Sequence, residues 1–101
     1  MKIKAGVGVS GLRPELVLAV IVVQPILAKY NQELVITSAI DSKHSVGSLH
    51  YVGLALDLRT WNLGNDAGTC VHEMKDALGG EYDVVLESDH IHLEYQPEHI
   101  A

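Results

Sequence analysis

The chain has 101 residues, 48% of them apolar, which is enough for one hydrophobic core and too little for two. Seven basic side chains against thirteen acidic ones leave a formal charge of −6. The basic residues are scattered along the chain, so neither nucleic acid nor an anionic membrane surface is an expected partner. Cys70 stands alone, which rules out an internal disulfide and a four-cysteine zinc site.

In chain order, Lys2 to Val9 alternates loosely and reads as an edge strand, followed by a turn at Ser10 and Gly11. Pro14 suits the first turn of a helix, which should run to about Tyr30 with Pro25 kinking it or ending its first part. The apolar run from Leu16 to Ala28 is shorter than the roughly 20 residues that a membrane span requires. It also lacks the plain basic leader of a signal peptide. A buried amphipathic or fully covered core helix is expected there, without membrane insertion.

Glu33 to Ser38 is rich in branched apolar residues and reads as a strand. The polar stretch from Ala39 to Tyr51 reads as an ordered loop leading into a second strand at about Leu54 to Arg59. Asn65 and Asp66 are candidate caps for a helix through Leu78, which Gly79-Gly80 stops. Tyr82 to Glu87 and His90 to Tyr95 form two strands split only by Ser88-Asp89, a hairpin pattern. The fold class is therefore α+β over a single domain, residues 1–101: a small, mostly antiparallel sheet with helices packed on one face.

Four of the six histidines fall in two short segments, Ser42 to Asp57 and Glu87 to Tyr95, with acids beside them. Zinc favours imidazole nitrogen and carboxylate oxygen, and a catalytic site uses three protein ligands and keeps a fourth position open. His50 lies just before the strand that carries Asp57, and the Gly53 bend allows the two to meet. His90 and His92 share one face of the last strand, because side chains repeat every two residues. Asp89, at the turn before them, is placed to take a proton from water, and a second histidine could stabilise the oxyanion of amide hydrolysis.

Other residues read more plainly. His72 and His99 lack paired spacing and are expected to be surface or core side chains. Ser48 has no nucleophile elbow around it, and Cys70 is expected to be a small buried apolar residue. Gly6-x-Gly8-x-x-Gly11 spells a dinucleotide-binding pattern, but Glu33, the acid about 20 residues on, opens a strand instead of closing one. A flexible turn is the expectation there.

Ser48-x-His50-x-x-Gly53-x-Ala55-x-Asp57 resembles the first zinc motif of the D-alanyl-D-alanine carboxypeptidase and L-alanyl-D-glutamate endopeptidase family, which includes phage endolysins. Asp89 to His92 resembles that family's second motif, and together the motifs span roughly residues 34 to 95. The same stretch is similar to the amino-terminal signalling domain of Hedgehog proteins through His44-Ser45, Ser48-Leu49-His50-Tyr51, Glu87-Ser88 and His90-Ile91-His92. Both resemblances imply Zn2+ held by His50, Asp57 and His92, and the Hedgehog-like one further implies that His44, Glu87 and His90 line the cleft. They differ over the general base: carboxypeptidase-type spacing selects Asp89, the Hedgehog-like pattern Glu87, and Asp89 is preferred.

The chain lacks the arginine that many carboxypeptidases carry shortly before the first motif. Lys43, His44 and His90 stand as replacements. The resemblance implies a peptidoglycan peptide substrate and action at the cell wall, and the minimal chain without a clear signal peptide reads as phage-encoded and synthesised in the cytoplasm. A zinc-binding structural or interaction module without catalysis is the alternative. Which peptide bond is cut, and the oligomeric state, stay open.

Overall fold

A computed structural model describes residues 1–39 and 54–96. Within them lie a five-stranded mixed sheet and two helices packed against it. The strands are β1 (Lys2–Ile3), β2 (Val35–Ser38), β3 (Ala55–Arg59), β4 (Tyr82–Leu86) and β5 (His90–Tyr95), in the spatial order β1-β2-β3-β5-β4. Only β1 and β2 run parallel, so the sheet is mostly antiparallel, as expected from the sequence.

Helix α1 (Pro14–Lys29) starts at the proline, whose missing N–H costs nothing in a first turn. It runs through Pro25 without ending, contrary to one of the two sequence expectations. The carbonyl that loses its donor belongs to Ile21, an exposed position where water can take over. One stripe, Leu16, Ala19, Val20, Val23 and Leu27, is buried, while Val17, Leu18 and Ile21 on another face are exposed. The helix is thus covered on one side. Its end is a Schellman motif: Asn31 takes a φ of 60°, its N–H bonds Ala28 O, and the N–H of Gln32 bonds Leu27 O.

Strand β2 starts two residues later than expected and β4 ends one residue earlier, and two further boundaries differ in kind from the sequence reading. The first strand pairs only over Lys2–Ile3, with Lys4 N–H extending the ladder to Ile36 O. Gly6, at a φ of 86°, then turns the chain away, so the glycine-spaced segment is a turn. Asp66 precedes helix α2 (Ala67–Leu78) but gives no side-chain cap, because a 3-10 turn over Gly64–Asp66 already places it in helical conformation. Gly79, at a φ of 87°, ends α2 as expected.

The core lies between the helices and one face of the sheet. Ile36, Leu56, Leu58, Val84, Ile91 and Leu93 meet Leu16, Val23 and Leu27 of α1 and Cys70 and Met74 of α2, all 2% exposed or less. Strict alternation along β3 and β5 sends Asp57, Arg59, His90, His92 and Glu94 to the other face. Cys70 is fully buried, and burial pushes its thiol up to about 11, as fits a small core residue. No helix among the described residues is long and apolar enough to cross a membrane.

Candidate metal centre

Backbone pairing brings the site together. Asp57 on β3 lies directly opposite His92 on β5, and Arg59 opposite His90. On the other side of β3 the register with β2 slips by one residue at Thr37, whose hydroxyl donates to Asp57 O at 3.4 Å. Such a bulge bends a strand locally and sharpens its twist.

His92 sits between two carboxylates. Its Nδ1 is 2.9 Å from Asp57 Oδ1 and its Nε2 is 2.7 Å from Glu94 Oε1. Both nitrogens can donate at once only in the imidazolium form. The hydrogen bond to Asp57 accordingly raises His92 from 6.5 to about 9, with Glu94 adding to the rise and burial opposing it. The side chains of Asp57, His92 and Glu94 are 15%, 22% and 14% exposed, low enough for the attraction to be only partly screened.

His90 adjoins the pair. Its Nε2 is 3.7 Å from Asp57 Oδ1, and its Nδ1 is 2.7 Å from Asp89 Oδ1. The His90 hydrogen bond holds the Asp89 carboxyl below its usual range, although Asp89 is largely exposed. Asp89 and His90 therefore form a second acid-histidine pair one step along the strand from the first.

A cavity of about 270 Å³ opens over this face, lined by Lys4, Thr37, Asp57, Arg59, Trp61, Asp89 and His90. A second, of about 450 Å³, is lined by Glu87, Ser88, Asp89, Trp61, Leu86 and neighbouring residues. Asp89 lines both, whereas Glu87 lines only the second. The Arg59 guanidinium lies 3.5 Å from the centroid of the Trp61 ring, which is 75% exposed. The Arg59 Nε is buried and has no hydrogen-bond partner among the described residues, an arrangement that costs about 1–3 kcal/mol.

Of the expected site residues, Asp57, Asp89, His90 and His92 are brought to one face, and Glu87 lies in the adjoining cavity. His50, His44, Lys43 and Ser48 lie outside the described residues, as does His99. Among the described residues no group of three histidine, cysteine or acidic side chains is arranged to hold a metal. Asp57 and His92 nonetheless fit two of the three expected ligand positions, with an oxygen and a nitrogen donor 2.9 Å apart on one sheet face. His72 is exposed, 3.5 Å from Asp76, in keeping with a surface residue.

Glu94, Arg59 and Trp61 are participants that the sequence motifs do not single out. Glu94 follows His90 and His92 at strand spacing, and Arg59 follows Asp57 by two, so period-2 alternation carried the signal for both. Comparison of the chain with protein-family models, with curated proteins and with solved structures finds no match in any of the three.

Proposed function

We propose that the chain is a zinc-dependent peptidase hydrolysing amide bonds of peptidoglycan stem peptides, in the manner of D-Ala-D-Ala carboxypeptidases or L-Ala-D-Glu endopeptidases. His50, Asp57 and His92 would hold the metal. The observation that supports this is the direct cross-strand pairing of Asp57 with His92 on the polar face, beside a cavity that also receives Asp89 and His90. When bound, zinc supplies Lewis acidity toward a carbonyl oxygen and water that ionises near pH 7.

The chain's own residues divide the remaining work. Glu94 fixes the His92 ring through Nε2. Asp89, ionised at neutral pH, takes the proton of the attacking water and returns it to the leaving amine. His90, oriented by Asp89, donates to the oxyanion. Asp89 is favoured over Glu87 as base because it shares the cavity of Asp57 and His90.

Metal analysis of the purified protein combined with mass spectrometry of digested muropeptides tests the reading. One zinc per chain and a defined peptide product are expected. Loss of one terminal D-alanine and cleavage after L-alanine give different masses, so the bond is identified in the same run. Stoichiometric zinc without any cleavage would leave a zinc-binding module, and absence of zinc would remove the metal centre altogether.

A further inference from the structure

The larger cavity, beside Glu87, is built unlike the one over the candidate metal centre. Its volume of about 450 Å³ lies in the range of small-ligand sites, and no cation lines it. Trp61 and Leu86, 75% and 40% exposed, give it apolar surface, while Thr60, Glu87 and Ser88 give it polar groups. The Glu87 carboxylate and the Ser88 hydroxyl make no hydrogen bond or ion pair with any described residue.

Trp61 is fixed in the position that exposes it. Its turn closes with Leu63 N–H donating to Thr60 O at 3.0 Å, and the next residue is anchored where Asn62 N–H donates to the buried Gln32 Oε1 at 2.7 Å. The Arg59 guanidinium lies against one face of the ring at 3.5 Å, and among the described residues no other ring or cation contacts the indole. A large apolar ring face held in water by such restraints is a ready platform for a ligand.

The lining also selects the ligand. Two carboxylates and no cation disfavour an anion. A second cation suits the ring poorly, because the guanidinium already on its opposite face repels it. A neutral saturated ring fits better: its C–H face lies on the indole through dispersion, and hydroxyls at its rim donate to a carboxylate. A pyranose has both features.

We propose that the Trp61 cavity is a saccharide subsite, in which a pyranose stacks on the free face of Trp61 and donates hydroxyl hydrogen bonds to Glu87, with Ser88 and Thr60 beside it. The subsite rests on this cavity alone, whereas its use rests on the peptidase reading above. Trp61 and Asp89 line both cavities, so a sugar seated here adjoins the reacting amide, and the substrate is a peptide carried on a sugar instead of a free peptide.

Trp61 is the only tryptophan of the chain, so its indole Nε1–H resonance reports on the subsite directly. The test is NMR titration of the full chain, without added metal, by N,N′-diacetylchitobiose, a neutral disaccharide of N-acetylated pyranoses. Acetyl-L-alanine methylamide and acetyl-L-lysine methylamide serve as peptide and cationic controls. The disaccharide should shift the Trp61 Nε1–H resonance with a Kd on the order of 1 mM, as suits one stacked ring with few hydrogen bonds. Saturation transfer should be strongest on its ring C–H protons. Trp61→Ala should weaken binding about 10-fold or more, Trp61→Phe by less, and Glu87→Gln, which keeps an acceptor, about threefold.

No shift at about 20 mM disaccharide, which fills most of a site of that affinity, would overturn the subsite. So would an equal or larger shift with either control, or undiminished binding by Trp61→Ala. The wild-type shift decides the matter even if a variant does not fold. Saccharide binding without muropeptide hydrolysis by the zinc-loaded protein would count against the peptidase reading and leave the subsite standing, and hydrolysis without a saccharide response would do the reverse.

Discussion

Asp57 and His92 are joined at 2.9 Å across directly paired positions of β3 and β5, and that contact sets the charge state of the site. In the metal-free protein the His92 ring should titrate at about 9 by NMR, raised first by Asp57 and then by Glu94. Because the folded value lies above the unfolded 6.5, the stability it contributes is complete below about pH 6.5. It is lost as pH rises through about 9. Asp57→Asn should bring the midpoint back toward 6.5, and an unchanged midpoint would show that the contact does not govern the ring.

Glu94 acts on the other nitrogen of the same ring, and a carboxylate there fixes the orientation a histidine ligand needs. Glu94→Gln keeps the shape and removes the charge. It should lower zinc affinity by about 10- to 100-fold, measured by chelator competition, with the circular dichroism spectrum unchanged. Wild-type affinity in this variant would show that His92 is oriented by packing alone.

The two helices are tied by Glu73 of α2, which accepts from Lys29 Nζ at 2.5 Å and from the Tyr30 hydroxyl at the end of α1. The Lys29 bond, followed by the Tyr30 bond, lowers the Glu73 pKa, and the bond to Glu73 pushes Tyr30 up to about 12. A depressed carboxyl value means stability present above the unfolded value of about 4.3 and lost as pH falls through the folded one. The Tm difference between wild type and Glu73→Gln should therefore be largest near neutrality and shrink in acid. A difference that persists undiminished in acid would assign the effect to packing.

Gln32 is the one polar residue buried among those described, at 3% exposure. Its Oε1 accepts the backbone N–H of Asn62 at 2.7 Å, and its Nε2 donates to Glu33 O at 2.7 Å. It thereby ties the end of α1 to the turn after β3, close to Trp61. Gln32→Leu leaves two backbone groups without partners and should cost about 1–3 kcal/mol for each one that water cannot reach, read from urea denaturation. A loss within 0.5 kcal/mol or so would mean that water reaches both groups.

The sheet and helices were legible because Pro14 opens an apolar run of helix length in α1, because apolar residues take alternate positions in β3 and β5, and because only Ser88-Asp89 separates the last two strand patterns. Asp57 and His92 were legible as chemistry from residue type and spacing. Their pairing follows from register, which couples residues far apart in sequence. Glu94 and Arg59 were within reach of the same alternation that placed His90 with His92. Lys4 was not: it joins the cavity because β1 pairs parallel with β2, a long-range contact that no local pattern announces. Strand β1 was read too long because alternation continues through Val7 and Val9, which pack on the core from a turn.

Asp89 and Glu87 differ in surroundings more than in sequence distance. Asp89 bonds His90 and borders the cavity that contains Asp57, while Glu87, flanking the hairpin turn, donates its N–H to His90 O at 2.8 Å and borders only the neighbouring cavity. Asp89→Ala should reduce amide hydrolysis roughly 10²- to 10⁴-fold, the usual range for a general base, with zinc stoichiometry and Tm close to wild type. Glu87→Ala should change the rate by only about two- to threefold, because a carboxylate outside the reacting cavity has no proton within hydrogen-bond reach to abstract. Reversal of the two effects would move the base to Glu87 and with it the position of the attacking water. Full hydrolysis by both single variants and by the double variant would leave the peptidase reading without either of its candidate bases.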